Sequence, residues 1–260
     1  MDYFIVRSFD HVGYYETRLV LLLIGLALVT YAAVRKRDYR YALAFASGVV
    51  FQSLLEWLLA ALGLRGRNYS LSLLGVTFSA TWSIVWQGLA EGGILSLMAF
   101  WFADLFHFSK DQAALPRRAF YAVCVVIVVL AGAVGVMARG LPISSPRPMF
   151  APLPMTISVV TIAVSALLIS LKGCTGWRAL GWFYLGLLVY VVLTFEPLHV
   201  LGARYVAVRT AEGGFAAAPW LPQIGLMLYS HLYEVAGGKI YYFVVPYVLG
   251  LLNSKGGKHA

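Results

Sequence analysis

Apolar runs of membrane-spanning length recur along the chain, separated by short groups of basic residues. A helix needs about 20 apolar residues to cross the hydrocarbon core of a bilayer. Seven candidate runs meet that need, beginning with about Leu19 to Val34, Tyr41 to Leu64, Trp82 to Phe106 and Ala119 to Ala138. Met155 to Leu171, Arg178 to Leu201 and a final stretch from Pro219 to Leu252 complete the set. The final stretch holds thirty-four residues and is interrupted by Gly237-Gly238-Lys239 and Pro246. It predicts a short helix leading into a last crossing, or a broken helix, the kind of discontinuity on which membrane sites are often built.

The intervening segments read differently. Half of the ten prolines fall between Leu141 and Met155, which excludes a membrane helix there and predicts an extended surface loop. Asn68 to Ala80, rich in Ser, Thr and Gly, predicts an interfacial or re-entrant piece, and Asn68-Tyr69-Ser70 fits a glycosylation sequon. The residues before Leu19 have neither a basic leader nor a small-residue cleavage site, so the first run is expected to be retained as a span. The expected fold class is all-α: a polytopic integral membrane helical bundle of about seven transmembrane helices, forming one transmembrane domain over residues 1–260.

Composition agrees with that pattern. The chain is 61% hydrophobic and only 12% charged, against about 25% charged residues in a soluble domain. A net charge of +9 would suit nucleic acid, but the basic residues are grouped between spans, which excludes a nucleic-acid partner and instead sets topology. Seven spans place Arg35, Lys36, Arg37, Arg40, Lys110, Arg117, Arg118, Lys172, Arg178, Lys255 and Lys258 on one side of the bilayer. Arg7, Arg18, Arg65, Arg67, Arg139, Arg147, Arg204 and Arg209 fall on the other. The excess predicts an external N-terminus and a cytoplasmic C-terminus in a plasma membrane. Cys124 and Cys174 lie too far apart in sequence to form a metal knuckle or disulfide framework.

Candidate chemistry sits in the acidic and imidazole residues inside the spans, where an ionisable side chain is costly and signals function. Phe51-Gln52-Ser53-Leu54-Leu55-Glu56 recurs thirty-five positions later as Trp86-Gln87-Gly88-Leu89-Ala90-Glu91. Gln and Glu four apart share a helix face, and Glu56 and Glu91 are expected at similar depth, roughly 12 to 14 Å below the outer boundary at 1.5 Å per residue. Glu196-x-x-His199 and His231-x-x-Glu234 each present a carboxylate and an imidazole three residues apart. Together these four carboxylates and two imidazoles match in count the ligand set of di-iron and di-manganese carboxylate bundles, with the second couple reversed. Pro197 biases Glu196 away from helix and toward a helix boundary. A single zinc held by His199, His231 and one Glu, with an open position for water, is equally compatible.

No nucleophilic serine motif, phosphate-binding glycine loop, paired-Asp motif or histidine-box series is present. The function expected is a membrane enzyme, metal-assisted by iron, manganese or zinc, acting on a lipid-like substrate within the lipid bilayer. Glu56 and Glu91 are its expected ligands or general acid/base, and Glu196, His199, His231 and Glu234 its further ligands. A proton- or ion-coupled transporter and a non-catalytic subunit of a larger membrane complex are the alternatives. The uncharged fourth span would offer other membrane subunits a docking face.

Overall fold

A computed structural model describes residues 2–9, 12–63, 71–143 and 146–253. Strand β1 (Tyr3–Arg7) leads into α1 (Tyr14–Lys36), which ends on Arg35 and Lys36 and turns at left-handed Arg37 into α2 (Arg40–Ala61). A hairpin of β2 (Ser72–Leu73) and β3 (Val76–Thr77) follows. Its turn uses positive φ at Leu74 and Gly75, the second at little cost because glycine has no Cβ. A continuous helical rod then runs through α3 (Ala80–Gln87), a π-helical turn at Gly88–Gly93, α4 (Ile94–Ala103) and a second π-helical turn at Asp104–Phe108. Helix α5 (Arg117–Ala138), strand β4 (Arg147–Pro148), α6 (Pro152–Ser170) and α7 (Gly173–Val200) complete the long elements. Strands β5 (Arg204–Arg209) and β6 (Phe215–Ala217) precede α8 (Trp220–Tyr229), a π-helical stretch Ser230–Ala236, a 3₁₀ turn Gly237–Lys239 and α9 (Tyr241–Val248).

Six helices are long and apolar enough to span a membrane: α1, α2, the Ala80–Phe108 rod, α5, α6 and α7. The seventh expected crossing is divided into four short pieces, with its break at the Gly237-Gly238-Lys239 interruption. Those pieces still run the length of the bundle. Tyr229 lies against Phe150 at one end (5.4 Å between ring centroids) and Tyr247 against Phe108 at the other (6.1 Å). The bundle is inside-out relative to a soluble protein. Leu23, Val34, Val125, Val129 and Leu167 face outward, while Arg18, Gln52, Glu56, Ser96, Asp104, Thr194 and His231 are buried. Apolar side chains cost nothing against lipid, whereas polar groups there need internal partners. Helix α4 forms the axis, with nine of its ten residues buried, and packs Trp101 and Phe100 into the core with Phe183 and Phe243.

Several local expectations are corrected. Residues 72–77 form the β2–β3 hairpin, while Asn68-Tyr69-Ser70 lies outside the described residues. Pro197 does not end its helix: α7 continues to Val200, so Glu196 is helical. Arg18, expected in a loop, lies buried within α1. The connections also form a four-stranded antiparallel sheet in the order β4-β1-β5-β6, which no span-level pattern predicts. Its aromatic and β-branched alternation suits a sheet with two covered faces. Phe4, Val6 and Ala207 pack on one side, Ile5 and Val206 on the other. Ser8 anchors it to the bundle by donating from Oγ to the Ala138 carbonyl (3.1 Å).

Two contacts fix the helices. At the first, α2 and the Gly88–Gly93 turn approach to backbone contact: a β-carbon at Gly48 would collide with the Gly92 carbonyl, and one at Gly88 with Ser53. Small residues permit such an approach in membranes. At the end opposite the sheet, Arg40 pairs with Asp38 (2.7 Å) and Asp104 (3.1 Å), while Tyr41 and Ser109 each donate to Asp104 at 2.6 Å. Gly92→Leu is expected to lower the thermal midpoint in detergent markedly, whereas Gly132→Leu, at a position with no neighbouring atom within 4 Å, leaves it unchanged. Asp104→Asn removes one partner of a buried charge and is expected to cost about 3 kcal/mol in chemical denaturation.

Candidate functional site

The polar residues of the spans collect in two places. The first is a seam through the bundle interior. Gln52 and Glu56 share a face of regular α2, and Gln52 Nε2 donates to Glu56 Oε1 at 2.9 Å. Tyr242 from α9 donates in turn to Gln52 Oε1. The second copy of the motif does not repeat this pairing. Gln87 is the last residue of α3 and Glu91 lies in the π-helical turn, where the wider helix re-aims side chains. Glu91 instead accepts from Tyr14 Oη (3.3 Å), which accepts from Arg18 Nη2 (2.8 Å), and Arg18 also donates to Tyr190. Lys239 lies within electrostatic range of both Glu91 and Glu56.

The second place is the sheet end of α7 and the π-helical stretch after α8. Glu196, His199 and His231 meet there, with one ligand atom from each lying within 4.8 Å of the others. Glu196 Oε1 is 2.9 Å from His231 Nε2, and Glu196 Oε2 is 3.6 Å from His199 Nδ1. Both side chains are buried; His231 Nε2 sits at ion-pair distance from the carboxylate, while His199 Nδ1 makes no hydrogen bond. Helical spacing puts Glu196 and His199 on one face of α7, and the π-helical backbone brings His231 across to them, ring centroids 5.3 Å apart. Glu196 also lines a groove of about 450 Å³ with Val128, Val192, Leu193, Val200 and Leu201 between α5 and α7. All its other lining residues are apolar.

Arg204 connects this cluster to the sheet. Its Nη1 donates to His199 Nε2 at 2.8 Å and its Nη2 to Ser230 Oγ at 3.2 Å. Ser230 Oγ lies 3.4 Å from Glu234 Oε2, so the serine holds that carboxylate one hydroxyl away from the guanidinium. Burial, with the neighbouring Arg147 guanidinium, pushes Arg204 down to about 10, still a cation at neutral pH. Because arginine only donates, His199 Nε2 accepts and its Nδ1 carries the proton in this arrangement. Nδ1 can bind a metal only after Arg204 releases Nε2.

The fold thus brings together three of the six sequence-derived candidates, Glu196, His199 and His231. It holds Glu234 beside them through Ser230 and places Glu56 and Glu91 in the separate seam. Among the described residues, no dinuclear six-ligand cluster is assembled. Sequence reasoning missed Arg204, Tyr14, Ser230 and Tyr242. Arg204 follows α7 by only four residues, but nothing in its neighbourhood marks that loop as a strand covering the site. The fold and its inward-facing polar groups define a multi-pass membrane protein. Comparison with family models, curated proteins and solved structures gives no match.

The seam yields a direct test. Tyr14→Phe removes the hydroxyl between Arg18 and Glu91 and is expected to cost about 1–3 kcal/mol in denaturation. Tyr31→Phe, on the outward-facing side of α1, provides the neutral control.

Proposed function

We propose that this protein is a membrane enzyme acting on a lipid-like substrate, with Glu196, His199 and His231 as its centre and a divalent cation as the ion they hold once Arg204 releases His199 Nε2. One observation carries the reading: two buried imidazoles converge on one carboxylate with their donor atoms within 4.8 Å of one another, and the residue that bears the carboxylate also lines a carbon-walled groove. Zinc bound by two imidazoles and one carboxylate keeps a position for water and lowers its pKa to about 7. Iron and manganese also suit mixed nitrogen and oxygen donors. The chain's own residues supply the rest. Glu196 would complete the ligand set with the two imidazoles, and the groove supplies an apolar bed for a hydrocarbon chain. The basic-residue excess opposite the sheet supports an external sheet end, and the burial of Arg18 within α1 widens that bias.

The seam favours a second reading, a proton- or ion-coupled carrier. Glu56, Glu91, Lys239 and Arg18 place ionisable groups within the bundle, and a π-helical turn interrupts the rod at Glu91. Elemental analysis of protein purified without chelator separates the two. The enzyme reading expects about one equivalent of zinc, iron or manganese, lost in Glu196→Gln and His231→Ala and retained in Glu56→Gln and Glu91→Gln. Protein that binds none of these metals on titration overturns the metal centre. If such protein drives pH-dependent uptake that Glu56→Gln and Glu91→Gln abolish, the carrier reading replaces it.

A further inference from the structure

Strand register gathers three guanidinium groups above the centre. Alternate residues of a strand project to the same face, so Ile5 and Arg7 of β1 share one side. Arg147 pairs with Ile5, and Arg204 pairs with Arg7. All three arginines therefore lie on that face, Arg204 directly opposite Arg7 at a cross-strand spacing of about 5 Å between Cβ atoms. They form a gradient inward: Arg147 is exposed, Arg7 half-buried and Arg204 only 6% exposed.

Like charges directly opposed across a sheet destabilise it, and Arg204 reaches the Glu234 carboxylate only through the Ser230 hydroxyl. Its contacts are His199 Nε2, Ser230 Oγ and the face of Phe195, all uncharged. Among the described residues, no carboxylate oxygen lies within 4.0 Å of its guanidinium nitrogens. A buried cation without a directly hydrogen-bonded carboxylate keeps donors to offer an anion. A planar guanidinium fork matches the oxygens of a phosphate.

We propose that Arg204, Arg7 and Arg147 form a headgroup subsite for the phosphate of an amphiphilic substrate whose hydrocarbon chain lies in the groove beside Glu196. The subsite rests on the reading of Glu196, His199 and His231 as the reaction centre. Phosphate enters past exposed Arg147 and meets Arg204 at the inner end, next to His199. The subsite thereby assigns the substrate class, a lipid with a phosphate headgroup, and the shared chemistry extends to free phosphate.

The test uses the full chain in maltoside detergent, which carries no phosphate, with native mass spectrometry as readout. The probes are dioleoyl phosphatidic acid, dioleoylglycerol with the same chains, and inorganic phosphate as competitor. Phosphatidic acid is expected to be retained in preference to dioleoylglycerol, and to bind about tenfold more weakly to Arg147→Gln. Arg147 is exposed, so this variant tests the subsite even if Arg204→Gln fails to fold. Arg204→Lys is expected to retain more binding than Arg204→Gln. Displacement of the lipid by inorganic phosphate supports recognition of phosphate from either source. Retention of the lipid against inorganic phosphate supports a headgroup that needs its chains. Equal retention of dioleoylglycerol, or phosphatidic acid binding unchanged in both Arg147→Gln and Arg204→Lys, overturns the subsite. Metal titration of the unmutated chain separates the two levels: protein that takes up no zinc, iron or manganese yet binds phosphatidic acid in an Arg147-dependent way refutes the metal centre and leaves the subsite standing.

Discussion

A polar side chain inside a bilayer has no water to fall back on, so each must find its partner within the bundle. This constraint organises the molecule. Arg40, Asp38, Asp104, Tyr41 and Ser109 satisfy one another at one end. Tyr14 mediates between Arg18 and Glu91 in the interior, and Tyr242 and Gln52 lead to Glu56. Glu196, His199 and His231 differ in that their donor atoms converge, with His231 Nε2 2.9 Å from the carboxylate and His199 Nδ1 without a hydrogen bond. A converging set of imidazole nitrogens and carboxylate oxygens is the kind of donor set a metal ion takes.

Backbone irregularity falls at the same places. The three described π-helical segments hold Glu91, Asp104 with His107, and His231 with Glu234. A π-helical turn adds a residue to the helical circuit and rotates the side chains beyond it, and such turns concentrate at functional sites. In the first segment, the glycines at 88, 92 and 93 let the widened helix press against α2. In the last, the altered circuit carries His231 toward α7, while Gly237 and Gly238 lead into the chain's final helix. The cost of irregular hydrogen bonding is borne where an ionisable side chain has to be aimed.

The sheet adds a second layer to the site. Tethered by Ser8 to α5 and followed directly by the last segment, it lays Arg204 against His199 and Ser230. A cation this close to an imidazole sets its tautomer, and so decides which nitrogen is available to a metal. The tautomer of His199 therefore depends on a strand outside the candidate spans as well as on the helix that carries the imidazole.

The sequence by itself determined the membrane bundle, the positions of the long helices to within a few residues and the break in the last segment. Each is a local property: run length, proline density, charge clustering and three-residue spacing are all legible along one segment. Pro197 shows where local reasoning stops, since its bias against helix was overridden by packing and α7 continued through it. Only the tertiary structure decided which candidates meet. Glu56 and Glu91 read like Glu196 and Glu234 in sequence, but helix rotation, π-helical phase and the glycine contact between α2 and the rod sort them into separate places. Arg204 was invisible as a site residue because its role arises from antiparallel register with β1, a pairing across nearly two hundred residues that no local pattern encodes.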